Sequence, residues 1–185
     1  MPPTSSFIQQ ATKNWLANIV IGFNFCPFAR RVLLQDSISY PICFSEDLEE
    51  VLQALTQVGQ ELEEQENIAT ALLILPQGWE DFEDYLDLLS IAEQLLEELG
   101  YTGVFQLASF HPKYVFGGTS PQDPSNYTNR SPYPMLHLLR EESIEEALEH
   151  YDNPEEIPER NIAFANSKTL ETWEKLLKAC YPSSK

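Results

Sequence analysis

Cys26 stands directly before Pro27 in the run GFNFCPFARRVLL, and this is the first point in the chain where the residue types could do chemistry. Proline is tolerated at the first position of a helix, so Cys26 and Pro27 read as the N-cap and first residue of a short helix. A thiol there faces unpaired backbone N–H groups, which lowers its pKa and makes it a nucleophile or a metal ligand. Two histidines follow far along the chain, His111 at the expected end of one strand and His137 inside another. Histidine titrates near neutral pH, so either could move protons. Cys26, His111 and His137 are therefore the candidate catalytic residues. As one thiolate and two imidazoles they would also leave a coordination position open on a transition metal such as zinc.

The second set is cationic. The stretch from His111 to Arg140, HPKYVFGGTSPQDPSNYTNRSPYPMLHLLR, holds two of the three histidines, two of the five arginines and five of the thirteen prolines, with Asp123 as its one acid. Residues 1–45 and 103–140 together carry six Lys or Arg against two acids, whereas the rest of the chain carries five against twenty-seven. If those two segments meet, they form a cationic pocket on an acidic molecule. Such a pocket suits a small anion bearing phosphate or carboxylate. Arg30, Lys113, Arg130 and Arg140 would hold the anion, with Tyr114, Tyr127 or Tyr133 lining the pocket. Gly117-Gly118 lacks the spacing of a phosphate-binding loop. On the plainer reading, acids crowd the solvated faces of helices and leave strands and loops neutral.

Composition bounds the rest. A chain of 185 residues fits one domain with a proper core. Its 43% hydrophobic and 22% charged content is ordinary for a globular protein. A net charge of −18 argues against a nucleic-acid or anionic-membrane binder. No run approaches the roughly 18 apolar residues of a membrane span, and the N-terminus lacks the pattern of a secretory signal. Three cysteines without a CxxC pair fit a reduced, cytoplasmic protein.

The elements that must position these residues follow from periodicity. Residues 5–21 read as a helix with Phe7, Ala11, Trp15 and Ile19 on one face. Ile38–Ser45 reads as a strand, at an edge because of Pro41. A helix is expected from Glu46, capped by Ser45, to Gln65, with Leu48, Val51, Leu52, Leu55, Val58 and Leu62 buried. Ala69–Leu75 reads as a central strand. The next helix, Trp79–Leu99, would bury Phe82, Leu86, Leu89, Ala92, Leu95 and Leu96. Gly103–Phe110 and Met135–Arg140 read as strands joined by the long Pro-rich loop. Glu141–His150 is expected to be a short helix, Glu155–Ala179 a bent one, and Tyr181–Lys185 a tail. The fold class is α/β: one domain, 1–185, with a mixed sheet of about four strands covered by helices. Ligands gather at the carboxyl ends of strands in such sheets, where His111 is expected.

Four phrases in this order, GFNFCPFA, ASFHPKYVF, NRSPYPMLHLLRE and PERNI, resemble a bacterial family named domain of unknown function 1415. The likeness covers about residues 10–165 and leaves 166–185 as a helical extension. Its motif positions fall on Asn24, Cys26, Pro27, His111, Pro112, Tyr114, Asn129, Arg130, Ser131, Pro132, Tyr133, His137, Arg140, Glu141, Arg160 and Asn161. The resemblance adds Asn129, Ser131, Arg160 and Asn161 to the candidate ligand-binding residues and implies a cytoplasmic bacterial protein, with no reaction attached. Cys26-Pro27-Phe28-Ala29 is also similar to the active-site turn of omega-class glutathione transferases, folds in which the cysteine follows a first strand; here a helix is expected before it.

Three functional readings stand together at this point. The first is an enzyme acting on a small anionic metabolite, with an Arg/Lys clamp and His/Cys chemistry. The second is a metal protein using Cys26, His111 and His137. The third is a non-catalytic binding or interaction protein whose acidic helices meet a basic partner. Glu159-Arg160-Asn161 reads either as part of the site or as a salt bridge anchoring the C-terminal helix to the loop. No motif speaks to oligomeric state.

Overall fold

The strands are apolar on both faces, so helices must cover both. The computed structural model describes residues 3–149 and 151–183. Its helices are α1 (Ser5–Trp15), α2 (Ala29–Leu34), α3 (Leu48–Glu64), α4 (Phe82–Glu98), α5 (Glu141–Glu149), α6 (Ile157–Asn166) and α7 (Leu170–Lys178). The strands are β1 (Ile38–Ser39), β2 (Thr70–Ile74), β3 (Phe105–Phe110) and β4 (Met135–Arg140), in the order β1-β2-β4-β3. β1 runs parallel to β2, and β4 runs antiparallel to both β2 and β3, so the sheet is mixed as expected.

Strand alternation divides the core. Leu72 and Ile74 of β2, Met135 of β4 and Phe110 of β3 pack with Trp15, Ile19 and Trp173 on one face. Ala71, Leu73, Leu136, Leu138 and Phe105 pack with Val51, Leu55, Tyr85 and Leu88 of α3 and α4 on the other. His137 shares the first face with Met135, whereas His111, one residue past Phe110, turns to the second.

The helix expected over 5–21 is two structures. α1 ends at Trp15, and Leu16–Ile21 continues as a π-helical stretch. Gly22 closes this wider turn because a Cβ there would lie 2.1 Å from the Asn18 carbonyl oxygen. Asn24 then takes a left-handed conformation at φ 56°, which asparagine tolerates better than most residues. α2 begins at Ala29 with Phe28 as its N-cap, so Cys26 and Pro27 lie in the preceding turn rather than opening the helix.

Three further expectations shift. The strand read over Ile38–Ser45 pairs at Ile38 and Ser39, with an isolated bridge from Ile42 to Ile74; Pro41 does mark a sheet edge. Asp47, rather than Ser45, caps α3, accepting from Glu50 N–H at 3.1 Å. In α4 the buried stripe is rotated to Tyr85, Leu88, Ala92 and Leu96, leaving Leu86 exposed. Tyr85 fixes that rotation by donating its hydroxyl to the Met135 carbonyl at 2.7 Å.

The C-terminal helical region breaks at 167–169, where Thr169 caps α7. Trp173 is fully buried, stacks on Tyr127 at 5.6 Å and donates its indole N–H to the Ala165 carbonyl. The segment beyond Ala165 is thus part of the core. His150, the expected end of α5, lies outside the described residues, as do the last two residues of the expected tail. No helix among the described residues is long and apolar enough to cross a membrane.

Candidate functional site

His111 stands at the end of β3 but faces inward and is fully buried. Its Nε2 lies 2.9 Å from the Trp79 carbonyl, and its Nδ1 accepts the Lys113 N–H at 2.9 Å. A carbonyl can only accept, so the ring is the Nε2–H tautomer with both nitrogens engaged. Phe82 and Tyr85 pack against it at 5.1 and 5.0 Å. Burial holds its pKa below the usual histidine range, with the Trp79 contact opposing.

The long loop is ordered by its own side chains. Asn126 Oδ1 accepts from Phe116 N–H and the Thr119 hydroxyl, while its Nδ2 donates to the Ser120 carbonyl. Asn129 Nδ2 donates to the Ser109 carbonyl, and the Ser131 hydroxyl donates to the Tyr133 carbonyl. Arg130 donates to the carbonyls of Tyr114 (3.2 Å) and Pro121 (2.7 Å), with its guanidinium 4.6 Å above the Tyr127 ring.

The other motif arginines do similar work elsewhere. Arg140 donates to the carbonyls of Leu62, Gln65 and Ile68, in the last turn of α3 and the loop that follows it. Arg160 donates to the Asn24 carbonyl (2.6 Å), the Tyr151 hydroxyl (2.8 Å) and Asn161 Oδ1 (3.0 Å). Asn161 in turn donates to the Phe25 carbonyl at 2.7 Å. Arg160 therefore anchors the C-terminal region to the Cys26 turn through neutral oxygens, where a salt bridge within PERNI was one expectation. Arg30 and Lys113 are exposed. The structure does not gather these cations into one clamp.

What it does assemble is a cavity of about 310 Å³ on the first face of the sheet. Thr70 and Leu72 of β2, Gln106, Ala108 and Phe110 of β3, and His137 and Leu139 of β4 line it. Trp15 and the π-helical stretch, then Cys26, Phe28 and Val32, form one side, and Ser143, Ile144 and Ala147 of α5 close another. Arg140 borders it, but no residue of the loop between Phe110 and Met135 does. The site lies across the sheet rather than at the carboxyl ends of its strands.

The polar chemistry of this cavity centres on His137. The Thr70 hydroxyl lies 2.7 Å from both the Leu138 carbonyl and His137 Nε2. Its single proton must go to the carbonyl, which cannot donate, so Nε2 carries the proton donated to Thr70. Nδ1 is left with a lone pair and no hydrogen bond among the described residues. Burial pushes the His137 pKa down to about 4, so the ring is neutral at pH 7 and Nδ1 is able to accept a hydrogen bond.

Cys26 borders the same cavity as a thiol. Burial raises its pKa, outweighing the Phe28 and Ala29 backbone groups that favour the thiolate, so the lowered value expected from its position does not hold. Cys26 and His137 are brought together; His111 lies across the sheet from them. Among the described residues no group of three or more His, Cys, Asp or Glu side chains could hold a metal ion. Thr70, Gln106 and Phe28 escaped the sequence reading. The signal was slight: a threonine opening the apolar run ATALLILP, whose register against His137 only pairing of distant strands reveals.

A family profile described as "Protein of unknown function (DUF1415)" matches residues 7–175, and the chain belongs to that family. The match runs past residue 165, in keeping with the buried Trp173. No curated protein and no solved structure matches the chain.

Proposed function

We propose that this protein binds a small, largely apolar, uncharged molecule in the cavity beneath α5, with His137 Nδ1 accepting a hydrogen bond or proton from it. The supporting observation is the Thr70–His137 contact at 2.7 Å, which fixes the protonated nitrogen and leaves the other as a lone pair. A cavity of about 310 Å³ is at the small end of ligand pockets, so the ligand is of single-ring or short-chain size.

The lining favours a neutral guest. Among the described residues no acid lines the cavity, and the one cation lining it, Arg140, already donates to three carbonyls. A carboxylate or phosphate would lose its hydration there without a free guanidinium in return. A carboxylic acid fits only in its protonated form, as a donor to Nδ1. As an enzyme, the protein would use His137 as base and Cys26 as the neighbouring thiol on such a molecule. The original anion reading requires a clamp that would have to form by rearrangement.

Thermal shift separates these readings, because a ligand that binds only the folded state raises its melting temperature. Phenol, cyclohexanol and benzamide are expected to stabilise the wild type and to lose that effect in Ala108→Phe, which fills the cavity. Stabilisation by inorganic phosphate or acetate, undiminished in Ala108→Phe, would replace this reading with the anion site.

A further inference from the structure

The cavity is closed on one side by a helix with little to hold it down. Ser143, Ile144 and Ala147 of α5 line the cavity, yet none of the nine residues of α5 is buried. Helices with few buried contacts open at low free-energy cost. The near end of α5 is fixed: Arg140 is bound to three carbonyls, and Glu141 N–H donates to the Val104 carbonyl at 3.0 Å.

The far end is held differently. The Tyr151 ring meets Phe28 edge-on at 5.7 Å, and Phe28 itself lines the cavity. The Tyr151 hydroxyl accepts from Arg160, the guanidinium that also holds the Asn24 carbonyl two residues before Cys26. Just beyond, Asn153 takes a left-handed conformation at φ 53° and Pro154 opens the next turn.

We propose that α5 is a gate over the cavity, hinged at Arg140–Glu141, and that Tyr151 and Arg160 form its latch. This rests on the cavity being a ligand site. The latch accounts for a motif that the site itself does not use: PERNI supplies the residue that joins gate closure to placement of the Cys26 turn. With the latch open, the cavity communicates more freely with solvent beside Phe28, and the half-buried Cys26 becomes more accessible. Lid motions of this kind control access in many enzymes.

Tyr151→Phe tests this, because it keeps the ring on Phe28 and removes only the hydroxyl. Two readouts need no ligand: hydrogen exchange of the α5 amides, and alkylation of Cys26 by iodoacetamide followed by peptide mass spectrometry, with Cys43 as internal control. Expected is a rise of roughly fivefold in both α5 exchange and Cys26 alkylation, the size set by one lost hydrogen bond, with Cys43 unchanged. If neither rate moves, the latch is wrong. If α5 exchange rises but Cys26 alkylation does not, α5 is loose but does not gate the cavity, and the proposal also fails. A wild type that binds none of the neutral probes would defeat the ligand reading while leaving these two rates interpretable.

Discussion

His111 and His137 carry the same Nε2–H tautomer on opposite faces of one sheet, and they differ in the other nitrogen. Nδ1 of His111 accepts the Lys113 N–H, whereas Nδ1 of His137 has no hydrogen bond among the described residues and its ring borders the cavity. One histidine fastens the loop, and the other lines the cavity with one ring nitrogen uncommitted.

That difference has a pH signature. Unfolded, His137 titrates near 6.5; folded, it is held down to about 4. Between these values the unfolded chain binds a proton that the folded one refuses, so stability falls as pH drops from about 6.5 to about 4. The loss amounts to roughly 3 kcal/mol, and the lowered pKa of His111 acts in the same direction. His137→Gln should flatten this slope in urea unfolding midpoints measured between pH 7 and pH 4.5. An unchanged slope would mean that the imidazole is not buried neutral.

Arg140→Ala should cost about 2–3 kcal/mol in urea unfolding, because it leaves carbonyls in the last turn of α3 and the loop that follows it without their charged donor. Arg30→Ala, on an exposed position of α2, should be within about 0.5 kcal/mol of wild type. Equal effects for the two would remove the capping role assigned to Arg140.

Arg130→Ala should loosen the Pro-rich loop more than it lowers global stability. The guanidinium ties Tyr114 and Pro121 together across the loop and covers Tyr127. Limited proteolysis is expected to gain cleavage sites within residues 114–122, with a stability loss of about 1–3 kcal/mol. A cleavage pattern identical to wild type would mean that the Asn126 hydrogen bonds alone hold the loop.

Trp173→Ala should cost about 3–5 kcal/mol, the range for deleting a large buried aromatic. A chain ending at Ala165 should then fail to give a cooperative thermal transition. Cooperative unfolding of that shorter chain would make the C-terminal helix dispensable.

The architecture was largely legible in the sequence, since four strands and the long helices announce themselves by period. The local misses arose where a tertiary partner or a local backbone closure overrode simple periodicity. Tyr85 reaches the Met135 carbonyl and turns α4, and the closure at Gly22 accompanies a π-helical stretch where periodicity gave an α-helix. For the site, the residue types were visible but their partners were not. Cationic side chains look alike in a sequence whether they face a ligand or a carbonyl group. Arg130, Arg140 and Arg160 all donate to main-chain carbonyls that no charge count could identify. His137 became informative only through Thr70, sixty-seven positions earlier.

The placement of β4 between β2 and β3 also dictates an order of events during synthesis. β2 and β3 emerge from the ribosome first, yet neither pairs with the other in the finished sheet. β2 must wait for about sixty further residues before Met135–Arg140 arrives, a delay on the order of several seconds at ordinary translation rates. Throughout that interval β2, buried at every position in the folded protein, has an unpaired edge. A strand edge left unpaired for that long is open to misassociation, so growth temperature should affect the yield more than the final stability would imply.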